Sequence, residues 1–246
     1  MVLAGGVNAI LAPDVTITLS KANMMAPDGR CKAFAASADG FVRSDGCGML
    51  LLKRLADAEA DGDPILAVIR GTAINQDGRS NGLTAPNGPS QTAVIRAALE
   101  DAGVTPAEVS YVETHGTGTS LGDPIEAQAL GAALGSGHSK ENPLMIGSAK
   151  TNLGHLESAA GAAGIIKLIL SIQHGEIPPH LHLDQLSHHI PWDDLPIVIP
   201  TARTPWTGRR IGGLSSFGFS GTNVHLILEN YAPLNQPESP FGTPRP

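Results

Sequence analysis

Val112-Glu-Thr-His-Gly-Thr-Gly-Thr-Ser-Leu-Gly-Asp-Pro-Ile-Glu126 and Gly147-Ser-Ala-Lys-Thr-Asn-Leu-Gly-His-Leu-Glu157 are the two stretches that decide the fold. Each follows a short strand-like segment, Val109–Thr114 or Leu144–Ser148, and each places a histidine where the backbone turns, His115 and His155. An α/β fold keeps its chemistry at strand ends, so both imidazoles are site candidates. Asp123 as N-cap, Pro124 at the first helical position and Glu126 three residues after the cap predict a helix over Pro124–Leu134, stopped at Gly135.

Working outward, further strands are expected at Val2–Leu11, Val15–Leu19, Gly48–Leu55, Ile65–Asn75, Ile197–Ile199, Ile211–Phe217 and Asn223–Glu229, many Val/Ile/Leu-rich and bounded by Gly, Pro or Asp. Helices are expected at Pro89–Ala102, ending at Gly103, and at Ser158–Gln173, where an Ala/Gly-rich start gives way to Ile and Leu. Strands alternating with helices, then a closing run of strands, predict α/β layers. Val2–Leu11 is almost wholly apolar, which predicts a central strand. From Tyr231 to Pro246 five prolines fall in sixteen residues, the composition of an extended linker.

The 246 residues are 41% apolar but only 4% aromatic, which suits closely packed layers built on small residues. A net charge of -7 with no Lys/Arg run longer than a pair argues against a nucleic-acid groove. No apolar run is long enough to span a bilayer, and no signal-peptide pattern opens the chain. Two cysteines suit a reducing, cytoplasmic setting.

Gly116 and Gly118 permit turns closed to other residues and let a ligand approach the backbone, while Thr117 and Thr119 offer hydroxyls to an elongated polar ligand. A plain tight turn with a hydrogen-bonded histidine is the alternative. Lys150 can hold a carboxylate that orients the site, with Glu126 the partner by motif; a purely structural ion pair is the alternative. Ser215-Ser-Phe-Gly-Phe-Ser-Gly-Thr-Asn223 is a turn before a strand whose freed N–H groups can form half of an oxyanion hole. His180, His182 and His189 invite a metal reading, but their spacing matches no usual ligand set. Cys31 and Cys47 lack the helix-start setting of a reactive thiolate and read as small structural residues.

Together, Val112–Glu126, Gly147–Gly161, Gly213–His225, Asn75-Gln-Asp-Gly78 and Gly82-Leu-Thr-Ala-Pro-Asn-Gly88 resemble the β-ketoacyl synthase family, and most closely the ketosynthase domains of modular type I polyketide synthases. The resemblance covers residues 1 to about 230. It implies a thiolase-like layered α/β fold of two similar halves, working as a homodimer. Residues 1–60 would be the end of the N-terminal half, 61–230 the C-terminal half and 231–246 a Pro-rich linker. It implies a decarboxylative Claisen condensation between an acyl-cysteine and a malonyl-type thioester on an acyl carrier protein, as in polyketide and fatty acid biosynthesis.

In that reaction His115 and His155 would stabilise the enolate, and Lys150 paired with Glu126 would organise the site. Phe219 would lend its N–H to the oxyanion hole with its ring near the acyl chain. Thr117 and Thr119 would meet the phosphopantetheine arm, the substrate carrier. No cofactor would be bound directly and no metal is needed. The family's nucleophilic cysteine precedes the strand resembling Val2–Leu11, and Cys31 and Cys47 match ordinary positions after it. The nucleophile is therefore expected to be absent from this chain, which alone would be inactive. The rival expectation is a non-enzymatic half-domain that complements a separately encoded N-terminal half.

Overall fold

A computed structural model describes residues 1–80, 82 and 85–232. The chain opens with β1 (Val2–Asn8), α1 (Asp14–Lys21), β2 (Gly46–Leu52) and α2 (Leu55–Asp61). It continues through β3 (Val68–Gln76), α3 (Gly88–Ala102), β4 (Tyr111–Glu113), α4 (Gly122–Leu134), β5 (Leu144–Gly147) and the single turn α5 (Lys150–Leu153). Then come α6 (Ala160–His174), β6 (Glu176–Ile177), β7 (Ile197–Val198), β8 (Thr204–Pro205), β9 (Ile211–Phe217) and β10 (Thr222–Glu229).

Six strands form one mixed sheet in the order β3-β10-β9-β4-β5-β7. β10 runs antiparallel to β3 and β9, whereas β4 is parallel to β9 and β5, and β5 to β7. One sheet face packs on α3 and α4 through Val94, Ile95, Ala98, Leu130 and Leu134 against Val112, Ile146, Ile211 and Ile227. The opposite face packs on α6, with Leu168 and Ile172 against Tyr111, Leu214 and Leu226. Behind α6 lies the β1–β2 hairpin, where a Cβ at Gly48 would come within 2.8 Å of the Ala162 Cβ. The result is a stack of helices, sheet, helix and hairpin, the layered α/β arrangement expected of a thiolase-like fold.

Local chemistry explains most boundaries. The Asn87 side chain caps α3 at the Ser90 N–H (3.1 Å), and Pro89 follows within the first turn. Gly103 and Gly175 close α3 and α6 with φ of 61° and 65°. Three expectations are corrected. Val15–Leu19 is helical: Asp14 occupies the first turn, the Thr18 hydroxyl bonds back to the Asp14 carbonyl (2.9 Å), and Lys21 meets the C-terminal dipole. The β-branched residues there suggested a strand, but no sheet edge is offered to them. Asp123 does not cap α4, whose cap position Leu121 makes no side-chain bond; its carboxylate turns inward instead. β1 is not central, since it pairs only with β2, and Val2, Leu3, Met49 and Leu51 are exposed. Its two-sided apolar pattern has one face covered by α6 among the described residues. The helix α2 and the turn α5 went unread in the sequence, both being too short for periodicity to show. The expected linker lies outside the described residues beyond 232.

Gly71 gives a direct test of the α3–sheet contact. A Cβ there would sit 2.3 Å from the Ala102 amide nitrogen, a backbone atom that cannot give way. Gly71→Ala should cost about 1–3 kcal/mol by overpacking, whereas Gly29→Ala, at φ 68° in open space, should cost only about 1 kcal/mol of backbone strain. Urea unfolding of the two variants checks the order.

Candidate active site

β4 ends at Glu113, and the chain turns at once through Gly116 and Gly118, whose φ values are 35° and 82°. A Cβ at Gly118 would lie 2.9 Å from the Lys32 nitrogen and 3.0 Å from the Gly40 carbonyl, so only glycine fits. Two carboxylates from the first turns of α4 hold this loop from beneath. Glu126 accepts the N–H groups of His115 (2.7 Å) and Gly116 (2.8 Å). Asp123 accepts the N–H groups of Gly118 (3.2 Å) and, from a distant segment, Phe34 (2.6 Å). Burial pushes the carboxyl of Asp123 up to about 6 and that of Glu126 upward too, against the pull of these N–H donors.

The second histidine follows β5 and α5. Gly154 (φ 76°) turns the chain, and the backbone of His155 is then gripped from both sides. Its N–H donates to the Val42 carbonyl (2.7 Å), and its carbonyl accepts the Ser44 N–H (3.0 Å). The two imidazole rings meet edge to face, their centroids 5.5 Å apart. Phe41 lies against His155 and Phe217 against His115.

The tautomers of both rings follow from their backbone partners. His155 Nδ1 accepts the Glu157 N–H (2.9 Å), and His115 Nδ1 accepts the Phe217 N–H (3.3 Å). A ring nitrogen that accepts carries no proton, so each neutral imidazole bears its hydrogen on Nε2. Burial, reinforced by the nearby Lys150 charge, lowers the His155 pKa to about 3 and holds His115 far below the usual imidazole range. Two neutral N–H donors thus share one cavity of about 170 Å³.

Lys150, on α5, donates from Nζ to the His115 carbonyl. Burial lowers its pKa, opposed by the charges of Glu113 and Glu126. The expected direct pair between Lys150 and Glu126 is corrected here. The two side chains bracket the backbone of His115, Glu126 taking its N–H and Lys150 its carbonyl. The Glu126 oxygens are taken by two backbone N–H groups instead.

Thr117 and Thr119 line the same cavity, their hydroxyl oxygens 3.3 Å apart, and the Thr119 hydroxyl also accepts the Gly122 N–H (3.1 Å). Phe219 stands at the rim, 57% exposed, and its N–H meets no acceptor among the described residues. It lies on the turn in which the Gly221 N–H bonds to the Gly218 carbonyl (2.9 Å). His180 uses Nδ1 to accept the Ser148 N–H (3.4 Å) and Nε2 toward the Ala33 carbonyl (3.0 Å), apart from His182 and His189 in role. Cys31 is buried, its sulfur accepts the Val42 N–H (3.3 Å), and burial raises its pKa. Cys47 is exposed on β2.

Several contributors escaped the reading of single positions. Asn223 donates to Asp77 (2.7 Å) and Asn75 (3.1 Å), and Asn87 donates to the Asp77 carbonyl (3.0 Å), which ties together the part of the cavity wall that Asp77 and Asn223 form. Their signal was the density of Asn and Asp in two Gly-containing turns. Glu113 is buried with three donors, the Tyr111 hydroxyl (2.7 Å), Lys167 Nζ (2.7 Å) and the Ala149 N–H that starts α5. His225 is fully buried beside the Ser215 hydroxyl (3.0 Å).

These buried groups predict an acid-labile fold. His115, His155, His180 and His225 all have lowered pKa values, the last three to about 3, about 4 and about 3. They stay neutral in the fold but take up protons once unfolded below about pH 6.5, so their contribution is lost as pH falls. Asp123 and Glu126, shifted upward, act in the opposite sense. Four groups outweigh two, so unfolding near pH 5.5 should take up about two protons, a slope on the order of 3 kcal/mol per pH unit. Urea midpoints that stay constant from pH 7 to pH 5 would contradict this.

Comparison with known proteins accords with this geometry. Residues 1–58 match the β-ketoacyl synthase N-terminal domain, 66–184 its C-terminal domain and 187–245 the ketoacyl-synthetase C-terminal extension. Among curated proteins, a phenolphthiocerol/phthiocerol polyketide synthase chain of Mycobacterium tuberculosis is 55% identical over 93% of this chain and 12% of its own length. The pikromycin polyketide synthase component PikAII of Streptomyces venezuelae is 51% identical over 99% of this chain and 7% of its own. The chain thus spans about an eighth or less of the length of these relatives. Among solved structures, the ketosynthase from module 6 of the bacillaene synthase of Bacillus subtilis 168 superposes with a TM-score of 0.90 at 43% identity, covering 94% of this chain and 42% of that one. An oxazolomycin ketosynthase domain of Streptomyces albus JA3453 gives 0.90 at 42% identity, over 95% and 43%. The chain belongs to the β-ketoacyl synthase family, and within it to the ketosynthase domains of modular polyketide synthases.

Proposed function

We propose that this chain supplies the carbonyl-activating half of a site for decarboxylative Claisen condensation. The observation that carries the reading is the pair of neutral Nε2–H donors on His115 and His155 in one cavity. A malonyl-type thioester on an acyl carrier protein places its carbonyl oxygen between them. As its carboxylate leaves as carbon dioxide, the C–C electron pair moves into the enolate and negative charge gathers on that oxygen. Donors already aimed at the oxygen need no reorganisation as charge develops. Lys150 adds positive charge through the His115 carbonyl without protonating either ring. The enolate carbon then attacks the acyl thioester and a thiolate departs. The free N–H of Phe219 suits the oxyanion of that second step, and the Thr117 and Thr119 hydroxyls suit the phosphopantetheine arm, which brings the substrate without being a bound cofactor.

The thiol that carries the acyl group is not Cys31 or Cys47 on this reading. Cys31 is buried with a raised pKa and engaged with Val42, and Cys47 is exposed on β2. The 246 residues alone therefore do not take up an acyl chain. We read 1–60 as the end of an N-terminal half, 61–230 as the C-terminal half and 231–246 as a linker, working in the cytoplasm within a homodimer. No helix among the described residues is long and apolar enough to cross a membrane. The exposed apolar face of β1 and β2 favours a second reading, a half-domain that complements a separately encoded N-terminal half.

Two measurements test the function. In the protein carrying the complete domain, His115→Ala and His155→Ala should each lower carbon dioxide release from a labelled malonyl thioester by about 10²–10³-fold, the usual loss for one oxyanion donor. Rates within twofold of the parent would remove the histidines from the mechanism. Incubated with a labelled acyl thioester, the 246-residue chain should remain unlabelled; label retained after mutation of both Cys31 and Cys47 would place a nucleophile elsewhere in it.

A further inference from the structure

Glu157 is the residue whose N–H fixes the His155 tautomer, and its backbone is strained. Its φ of 46° lies in the left-handed region, which a non-glycine residue occupies only when its surroundings hold it there. Those surroundings are specific. Arg43 forms a two-pronged ion pair with the Glu157 carboxylate, Nε to Oε1 and a terminal guanidinium nitrogen to Oε2 (3.0 Å). The Arg43 side chain is only 8% exposed, and its other terminal nitrogen reaches the Thr16 hydroxyl on α1 (2.9 Å). The backbone of Val42 and Ser44, on either side of Arg43, holds the backbone of His155. Residues 42–44 therefore grip 155–157 at three points, two through the main chain and one through the guanidinium.

We infer that Arg43 and Glu157 are positioning residues for the proposed reaction: their ion pair holds Glu157 in the left-handed conformation that points its N–H at His155 Nδ1 and so keeps the His155 proton on Nε2. The inference rests on the reading of His155 as a carbonyl donor, but its own test does not. Without the clamp, Glu157 relaxes toward an ordinary helical φ, its N–H swings off Nδ1, and the ring is free to place its proton on either nitrogen. An Nδ1-protonated ring offers a lone pair, not a donor, toward the cavity. A planar fork is needed to grip both carboxylate oxygens, so lysine would not substitute for Arg43.

The test uses the full chain with histidine labelled in ¹⁵N, because imidazole ¹⁵N shifts distinguish the two tautomers. The parent should show His155 as a single Nε2–H form at neutral pH. Arg43→Gln and Glu157→Gln should each convert it to a mixture of both tautomers, while His180, held by Ser148 and Ala33, stays unchanged and reports that the fold is intact. Glu157→Gly in the Arg43→Gln background should restore the single form, since glycine adopts the left-handed conformation without a clamp. A single Nε2–H form in Arg43→Gln, or failure of the glycine to restore it, overturns the inference. Should Arg43→Gln fail to fold, Glu157→Gln decides the question alone. In the complete domain, the single variants should lower the rate of malonyl-thioester decarboxylation about tenfold with little change in KM. A shifted tautomer with an unchanged rate would leave the clamp standing and count against the function proposed for His155.

Discussion

Two carboxylates beneath one loop carry the arrangement of this site. A buried, ionised carboxyl group is costly unless hydrogen bonds to its oxygens replace water. Asp123 and Glu126 meet that demand with backbone N–H groups from residues 115, 116, 118 and 34. The exchange works in both directions. The loop could not leave three N–H groups unpaired indoors, and the helix could not bury two acids without them and the Phe34 N–H. The turn that displays His115 is thereby tied to the start of α4 and to the segment around Phe34. Loop, helix and that segment therefore form a single unit.

That unit sets the electrostatics of the histidines. A protonated imidazole would bring charge into the cavity ahead of the substrate, and burial forbids it for both rings. Lys150 keeps its charge one backbone group away, where it polarises the His115 carbonyl. Glu113 stands behind it, joining the start of α5 to Lys167 on α6. Positive charge is thus supplied near the donors while the donors stay neutral, a division of labour that burial, tautomer and position achieve together.

Much of this was legible in the residues, for identifiable reasons. β9 was read with the bounds it has, and β10, β5 and α3 nearly so, because apolar runs and terminal glycines act locally. His115, His155, Lys150 and Glu126 announced themselves through charged or titratable groups set in glycine-rich turns. What stayed hidden depends on distant partners. Asp123 looked like a cap because its position fitted one, yet its acceptor role is set partly by Phe34, far away in the chain. The Lys150–Glu126 relation was right in neighbourhood and wrong in contact, since spacing cannot show which backbone group comes between. Val15–Leu19 carried strand-forming residues into a helix because only tertiary placement could supply a sheet partner. The link between Arg43 and Glu157 bridges 114 residues of chain, and neither residue stood out beside its neighbours.

The three-point grip of residues 42–44 on 155–157 also bears on how such sequences can be recombined. The interval between residues 58 and 66, where the two main family matches part, looks like a natural crossover: it is short, mostly exposed and runs from the last turn of α2 to just before β3. Joining two parents there would take Arg43 from one lineage and Glu157 from the other. The fork and its carboxylate would then have to meet across a seam that neither ancestor had tuned. A chimera could inherit both histidines and every glycine of the loops intact, and still receive a His155 whose frame was built for a different partner.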